Sequence, residues 1–363
     1  MTTSAPTVGI IGLGYGRAHI PAFQANGCRV VALCQRDQAT AKTLADRYGV
    51  PAVFARWEDM LETARPDIAV IATPPHLHHP IALRAFAQGA HVLCEKPLAM
   101  SRVEGEAMAE AAERAKRTAM TSFNWRFVAA MQELHARVEE GALGRAFHVS
   151  GRWVGGRWAK ETDAPSWRMD REQAGHGSMG DMGVHLVDFV RWTFGEVVRV
   201  AAKTGVAYPE RQAPGVNRPA DAEDHCAIVG ELASGATVTM VTSRVARGVN
   251  EHTLEASGSG GSLAYRFTRE RDRWWEGELR ATGSGDALKP VTPRWTPDGS
   301  VAEGDQMEIL GKATIGPLVA KFLEAIRTGE PAAPSFRDGV RAQAVLDAVL
   351  DAATRRDWVE VAQ

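Results

Sequence analysis

Two charged side chains, Glu95 and Lys96, stand at the end of an apolar run, His91–Cys94, and Pro97 follows at once. If that run is a buried parallel strand, Lys96 sits at the carboxyl end of a sheet, where ligands bind in open α/β folds. A lysine before proline is also compatible with a solvated turn. A second set of reactive types lies in GHGSMGDMGVHLVDFVRWTFG, residues 175–195. Met182, Leu186, Phe189 and Val190 recur there at helical spacing, and Asp181, His185 and Asp188 fall three or four apart on one face. An imidazole, with an unperturbed pKa of about 6.5, can take a hydroxyl proton while a carboxylate aligns the group beside it. The competing reading makes Asp181 a helix cap and His185 a core histidine.

The elements before Lys96 supply a context for it. Thr7–Leu13 is a β-branched run that breaks into Gly12, Gly14 and Gly16 ahead of a helical pattern. Glycines at a strand-to-helix turn let backbone amides approach a pyrophosphate. The usual third small residue falls on Arg17, so either Gly16 or Ala18 must make the close helix–strand contact, or the turn is a residue shorter than usual. A second strand, Cys28–Asp37, ends in Gln35 and Arg36 with Asp37 one place beyond. A carboxylate at that end favours NAD and a guanidinium favours a 2′-phosphate, so NADP is expected. NAD stays as the alternative, because Arg36 could be a solvated loop residue stacking on adenine. Another strand, Asp67–Ala72, ends in Thr73-Pro74-Pro75 and precedes His76, His78 and His79. No cysteine or carboxylate stands at ligand spacing, so no metal site is expected, and these histidines suit contacts at a helix start. Strands alternating with short helices indicate a doubly wound parallel sheet.

From about Gly144 the texture changes to alternating strands, FHVSGRW, VVRVAAKTGVA, HCAIVGEL, ATVTMVTSRV and HTLEASG, which indicate a second, mostly antiparallel domain. SGSGGS, 257–262, reads as a hairpin turn and 270–304 as loops around an edge strand, with two helices, 316–328 and 336–355, and a last strand, 358–361. The expected division is 1–122 and 123–363. Trp125, Trp153, Trp158 and Trp167 crowd together and suit either sugar stacking or packing. The chain has 363 residues, 45% hydrophobic and 24% charged, with a formal charge of -2, and no dense basic run, so neither nucleic acid nor an anionic membrane is an expected partner. No apolar run nears the roughly 18 residues of a membrane helix, and the amino terminus lacks a signal-peptide pattern. A cytoplasmic protein is expected, with Cys28, Cys34, Cys94 and Cys226 as core thiols.

GLGYGRAH, TPPHLHHPIALRAFAQGAHVLCEKPLA, SFNWRF, GDMGVHLVD and FRDGVRAQAVLDAVLDAA together resemble the Gfo/Idh/MocA oxidoreductase family over nearly the full length. The resemblance implies a Rossmann domain, a C-terminal α+β domain with a large open sheet used in oligomerisation as a homo-dimer or homo-tetramer, and nicotinamide-dependent redox chemistry on a sugar, polyol or cyclitol. It makes Lys96, Asp181 and His185 the catalytic set, with a cis Lys96–Pro97 peptide. The expected cofactor contacts are Gly12, Gly14, Tyr15, Gly16, Arg17, Gln35, Arg36, Thr73, Pro74, His78, Glu95, Lys96, Trp167 and Arg168. Around the substrate are expected Lys96, Arg126, Trp158, His176, Asp181 and His185, His176 standing where relatives have glycines. In alcohol oxidation His185 would accept the hydroxyl proton and the Lys96 ammonium would stabilise the developing alkoxide. Two rivals remain: an NAD-dependent glycosidase using transient oxidation, and a non-catalytic nucleotide-sensing regulator.

Overall fold

Six short apolar runs form a parallel sheet in the order β3-β2-β1-β4-β5-β6. They are β1 (Thr7–Ile11), β2 (Arg29–Cys34), β3 (Ala52–Phe54), β4 (Ile68–Ile71), β5 (His91–Cys94) and β6 (Ala119–Thr121). All four residues of β4 are buried, as expected of a strand covered on both faces. The helices between them are α1 (His19–Ala25), α2 (Gln38–Tyr48), α3 (Trp57–Ala64), α4 (His78–Ala87) and α5 (Arg102–Ala115). Chain order reverses where β1 lies between β2 and β4, which is the position of the ligand crevice in such sheets. The computed structural model describes residues 5–211, 219–270, 272–282, 287–297, 299–302 and 304–363.

By contacts the chain forms two units, Met1–Phe127 with Asp298–Val340, and Val128–Pro297 with Arg341–Gln363. The division expected at 122/123 gave 298–340 to the second domain, whereas this segment groups with the first. The cause is packing against the core that α1 lines with Ile20, Ala22 and Phe23. After α6 (Ala129–Glu139), α7 (Arg171–Ala174), α8 (Val184–Phe194) and α9 (Gln306–Leu310), the helix α10 (Gly316–Thr328) supplies Leu318, Val319 and Phe322 to the cluster around Ile20 and Phe23. The chain closes with α11 (Phe336–Arg355). The last strand of this sheet is short. Only 119–121 pair in the sheet, and Asn124–Phe127 form a tight turn that buries Asn124 and Arg126.

The second unit is built on a nine-stranded sheet, β14-β13-β12-β11-β7-β10-β9-β8-β15. Its strands are β7 (Ala146–Val154), β8 (Val197–Gly205), β9 (His225–Leu232), β10 (Thr237–Ser243), β11 (Glu251–Gly258), β12 (Ser262–Thr268), β13 (Glu278–Thr282), β14 (Leu288–Val291) and β15 (Val359–Glu360). Neighbours are antiparallel except β7 and β10, which run parallel. Ser259–Gly261 make the hairpin between β11 and β12, and the 270–304 stretch holds two strands rather than one, β13 and the edge strand β14; within it 271, 283–286, 298 and 303 lie outside the described residues. Alternation along β9 and β10 buries Ile228 and Met240, whereas Val229 and Val241 are 44% and 43% exposed. All four cysteines are free and buried. Among the described residues no helix is long and apolar enough to cross a membrane.

Candidate active site

In the first unit the glycine loop sits between the ends of β1 and β4. Gly12 has φ +90°, and an added Cβ would stand 2.5 Å from the Ala72 carbonyl oxygen. Its amide donates to Cys34 O at 2.9 Å. Gly16 makes the close helix–strand contact that the sequence left open between Gly16 and Ala18, since a Cβ there would lie 3.0 Å from Ala72 Cβ. Gly14 differs from both: it is exposed, and a Cβ would meet nothing within 4 Å. That open backbone is what approach of a pyrophosphate requires. Tyr15 is half-buried and its hydroxyl accepts from Asn124 Nδ2 at 3.3 Å, while Arg17 is exposed. At the end of β2, Asp37 caps α2, accepting from the Ala39 and Thr40 amides with one oxygen and from the Thr40 hydroxyl with the other. The Thr40 hydroxyl bond, with the amides, holds its carboxyl below the usual range. Arg36 is exposed beside it and Gln35 half-buried.

The Lys96 turn is braced from two sides. His78 is fully buried, its Nε2 2.9 Å from Thr73 O and its Nδ1 3.0 Å from Pro97 O. It therefore ties the end of β4, where Thr73 and Pro74 are half-buried, to the turn after β5. His78 is a brace and not an open ligand group. Glu95 is buried, and His19 Nε2 lies 2.9 Å from its Oε1. Burial alone would raise the Glu95 carboxyl, but His19, with Lys96 alongside, holds it below the usual range. Lys96 is half-buried and its peptide to Pro97 is cis. Arg126 does not stand open as a pocket-lining residue: it is 4% exposed, with Nη2 3.4 Å from Asp338 Oδ1 and its guanidinium over the Phe123 ring.

In the second unit the polar helix does not begin as an ordinary α-helix. Met179–Gly183 form a π turn that runs into α8, and such turns recur at functional sites. Asp181 is not the helix cap. The Glu223 carboxylate takes that role, accepting from the Gly177 and Met179 amides at 2.7 and 3.1 Å. Asp181 instead accepts from Arg168 Nε at 3.3 Å, both side chains about a quarter exposed, and the Arg168 guanidinium lies 4.3 Å over the Trp167 ring. His185 is 2% exposed and stacks on Trp153, ring centroids 5.3 Å apart. Trp153 in turn stacks on the buried His252 at 4.0 Å.

Two expected substrate residues are placed differently. Trp158 is 5% exposed, with the guanidinium groups of Arg157 and Arg244 over its ring. His176 is 4% exposed, with Nε2 3.7 Å from Asp347 on α11, and burial lowers its pKa against the pull of Glu223 and Asp347. Its ring serves the unit's interior. Sequence reasoning left Trp153 open between sugar stacking and packing, and missed His19 and the buried Arg244. Arg244 donates to the carbonyls of Arg168 and Glu223 at 3.0 Å and lies 3.6 Å from Asp224. His19 carried a signal, since it closes the GLGYGRAH motif; Arg244, in an ordinary strand end, carried none.

Comparison with known proteins agrees with this architecture. The description "Oxidoreductase family, NAD-binding Rossmann fold" matches residues 7–123, and "GFO/IDH/MocA C-terminal domain" matches 131–264. The chain is 30% identical to levoglucosan dehydrogenase of Pseudarthrobacter phenanthrenivorans, covering 98% of each. It is 26% identical to inositol 2-dehydrogenase of Rhizobium meliloti, again over 98% of each. Among solved structures, levoglucosan dehydrogenase in complex with NADH and levoglucosan superposes with a TM-score of 0.88 at 29% identity, over 99% of this chain and 100% of that one. An oxidoreductase domain protein from Kribbella flavida gives 0.89 at 28%, with the same coverage. The parallel sheet with its glycine loop, the nine-stranded second sheet and these matches together place the chain in the Gfo/Idh/MocA family of NAD-binding oxidoreductases.

Proposed function

We propose that the chain is a dehydrogenase exchanging hydride between a nicotinamide nucleotide and a secondary alcohol or ketone of a sugar, polyol or cyclitol, with Lys96, Asp181 and His185 as its catalytic residues. The observation that carries the reading is that both polar sets are built rather than incidental. Lys96 stands beside a buried carboxylate at the end of β5, and Asp181 and His185 are each held by a partner of their own, Arg168 and Trp153. The residues fit a dinucleotide: Gly14 leaves the loop backbone open at the switch point, and Gly12 and Gly16 let the strand ends close behind it. Tyr15, Arg17, Gln35, Arg36, Thr73 and Pro74 border that loop and the end of β2 as further nucleotide contacts. A bound nicotinamide nucleotide would supply the hydride-accepting and hydride-donating chemistry. His185 accepts the hydroxyl proton in oxidation and gives it back in reduction, and the Lys96 ammonium stabilises negative charge on the reacting oxygen. Asp181, oriented by Arg168, aligns the neighbouring hydroxyl.

NADP preference belongs to the same proposal. Asp37 uses both oxygens on the start of α2, which leaves the Arg36 guanidinium as the charged group offered at the end of β2. The levoglucosan dehydrogenase structures contain NADH, so the two nucleotides must be compared directly. The open sheet face with Val229 and Val241 suits self-association. Relatives named for levoglucosan, D-apiose and inositol define the panel to screen. The test is appearance of reduced nicotinamide with NAD or NADP across cyclic sugars, aldoses and cyclitols. Glycoside cleavage without net reduction would replace the dehydrogenase by a glycosidase.

A further inference from the structure

His19 is 0% exposed and opens α1 directly behind the glycine loop. A carboxylate only accepts hydrogen bonds, so the 2.9 Å contact to Glu95 Oε1 places the donor hydrogen on His19 Nε2. Glu95 Oε2 lies 3.3 Å from the Lys96 amide, which makes the carboxylate part of the turn that carries the lysine. We propose that His19 is a positioning residue for Lys96: its Nε2–H fixes the buried Glu95 carboxylate so that a negative charge stays beside the lysine ammonium.

The proposal rests on Lys96 being the reacting lysine of the function proposed above. The titratable and charged groups that face Glu95 are His19 from α1, His78 from α4, Cys94 on its own strand and Lys96 beside it. Of these His19 is the hydrogen-bond partner, because the His78 nitrogens face the carbonyls of Thr73, Pro97 and Leu98. Without His19, the buried Glu95 carboxylate loses its imidazole donor, and the negative charge beside Lys96 is no longer held in place.

Competitive acylation of the protein without nucleotide, read by peptide mass spectrometry, gives the pH midpoint of Lys96 reactivity independently of turnover. His19→Ala is expected to move that midpoint down by about one pH unit. His19→Gln, whose amide Nε2 stands at the reach of the imidazole Nε2, is expected to restore it. A folded His19→Ala variant with an unchanged midpoint overturns the proposal, and so does a His19→Gln variant shifted as far as alanine. If alanine prevents folding, His19→Asn keeps an amide but places it short of Glu95: a Lys96 midpoint lowered relative to His19→Gln supports the proposal, and equal midpoints in the two overturn it. Lys96→Ala assayed for turnover is a separate experiment. Retained turnover there sinks the role given to the lysine, while the labelling of the other variants still reports whether His19 acts on it.

Discussion

Alanine at Gly12 and alanine at Gly14 separate a glycine the protein needs for its own packing from one kept open for a ligand. At Gly12 the added Cβ would stand 2.5 Å from Ala72 O and 2.8 Å from Thr73 N, and φ is +90°. These are backbone atoms of the adjoining strand end, pinned by the Ala72 amide on Ile11 O at 2.8 Å, so relief requires β1 and β4 to part. The backbone conformation costs a residue with a Cβ about 1 kcal/mol. Forced overlap in a packed region adds about 1–3 kcal/mol. Gly12→Ala should therefore lose about 2–4 kcal/mol of stability, a large part of what a typical domain has. At Gly14 the methyl meets no protein atom within 4 Å, so stability should change by no more than about 0.5 kcal/mol. The same methyl would stand against the pyrophosphate, and nucleotide affinity should fall at least about tenfold, equivalent to about 1.4 kcal/mol. Urea denaturation and a fluorescence titration with NAD and NADP read the two effects separately. A Gly14→Ala protein with wild-type affinity for both nucleotides would refute the assignment of the loop, and a Gly12→Ala protein with the wild-type denaturation midpoint would refute the packing argument.

Arg36→Ala should lower kcat/KM for NADP by about tenfold or more and leave NAD nearly unchanged, the loss expected for one phosphate-binding guanidinium; equal losses for both would show that Arg36 does not read the 2′-phosphate. His252, buried against Trp153 and Phe267, is kept neutral well below pH 6.5 by burial and by Arg269. Below about pH 6.5 the unfolded chain binds a proton that the folded ring does not, so stability is fully present above that pH and declines as pH falls, by up to about 1.4 kcal/mol per unit. His252→Phe should flatten the fall in denaturation midpoint between pH 7 and pH 5, and an unchanged slope would count against it. If the open sheet face carries the proposed self-association, Val229→Glu with Val241→Glu should shift the sedimentation profile toward monomer with the fold retained; an unchanged profile would remove that face from the proposal.

The parallel unit was legible because buried parallel strands announce themselves as apolar runs ending in glycine, proline or a charge, and β1, β2, β4 and β5 all do. The alternation of β9 and β10 made the second sheet legible in the same way. Segment 298–340 was misplaced because an amphipathic helix such as α10 shows that it has an apolar face without showing which core that face fills. The sequence narrowed the third loop contact to Gly16 or Ala18, and only the distance to Ala72 Cβ separates them. The cap reading of Asp181 was reasonable on spacing, yet the Glu223 carboxylate, distant in sequence, already occupies the helix start. Trp158 and His176 were drawn toward a pocket by residue type. Trp158 packs against Arg244 and His176 lies against Asp347, partners distant in sequence with no local signature.

The central claim, hydride exchange at a substrate held by Lys96, is tested most directly by measuring turnover and nucleotide affinity together in Lys96→Ala, once a reactive sugar or cyclitol is found. The account predicts a fall in kcat of at least about 100-fold, the scale of a lost charge-stabilising or proton-handling group, with nucleotide Kd within about fivefold of wild type. A variant that turns over at the wild-type rate with the same substrate and nucleotide would contradict it.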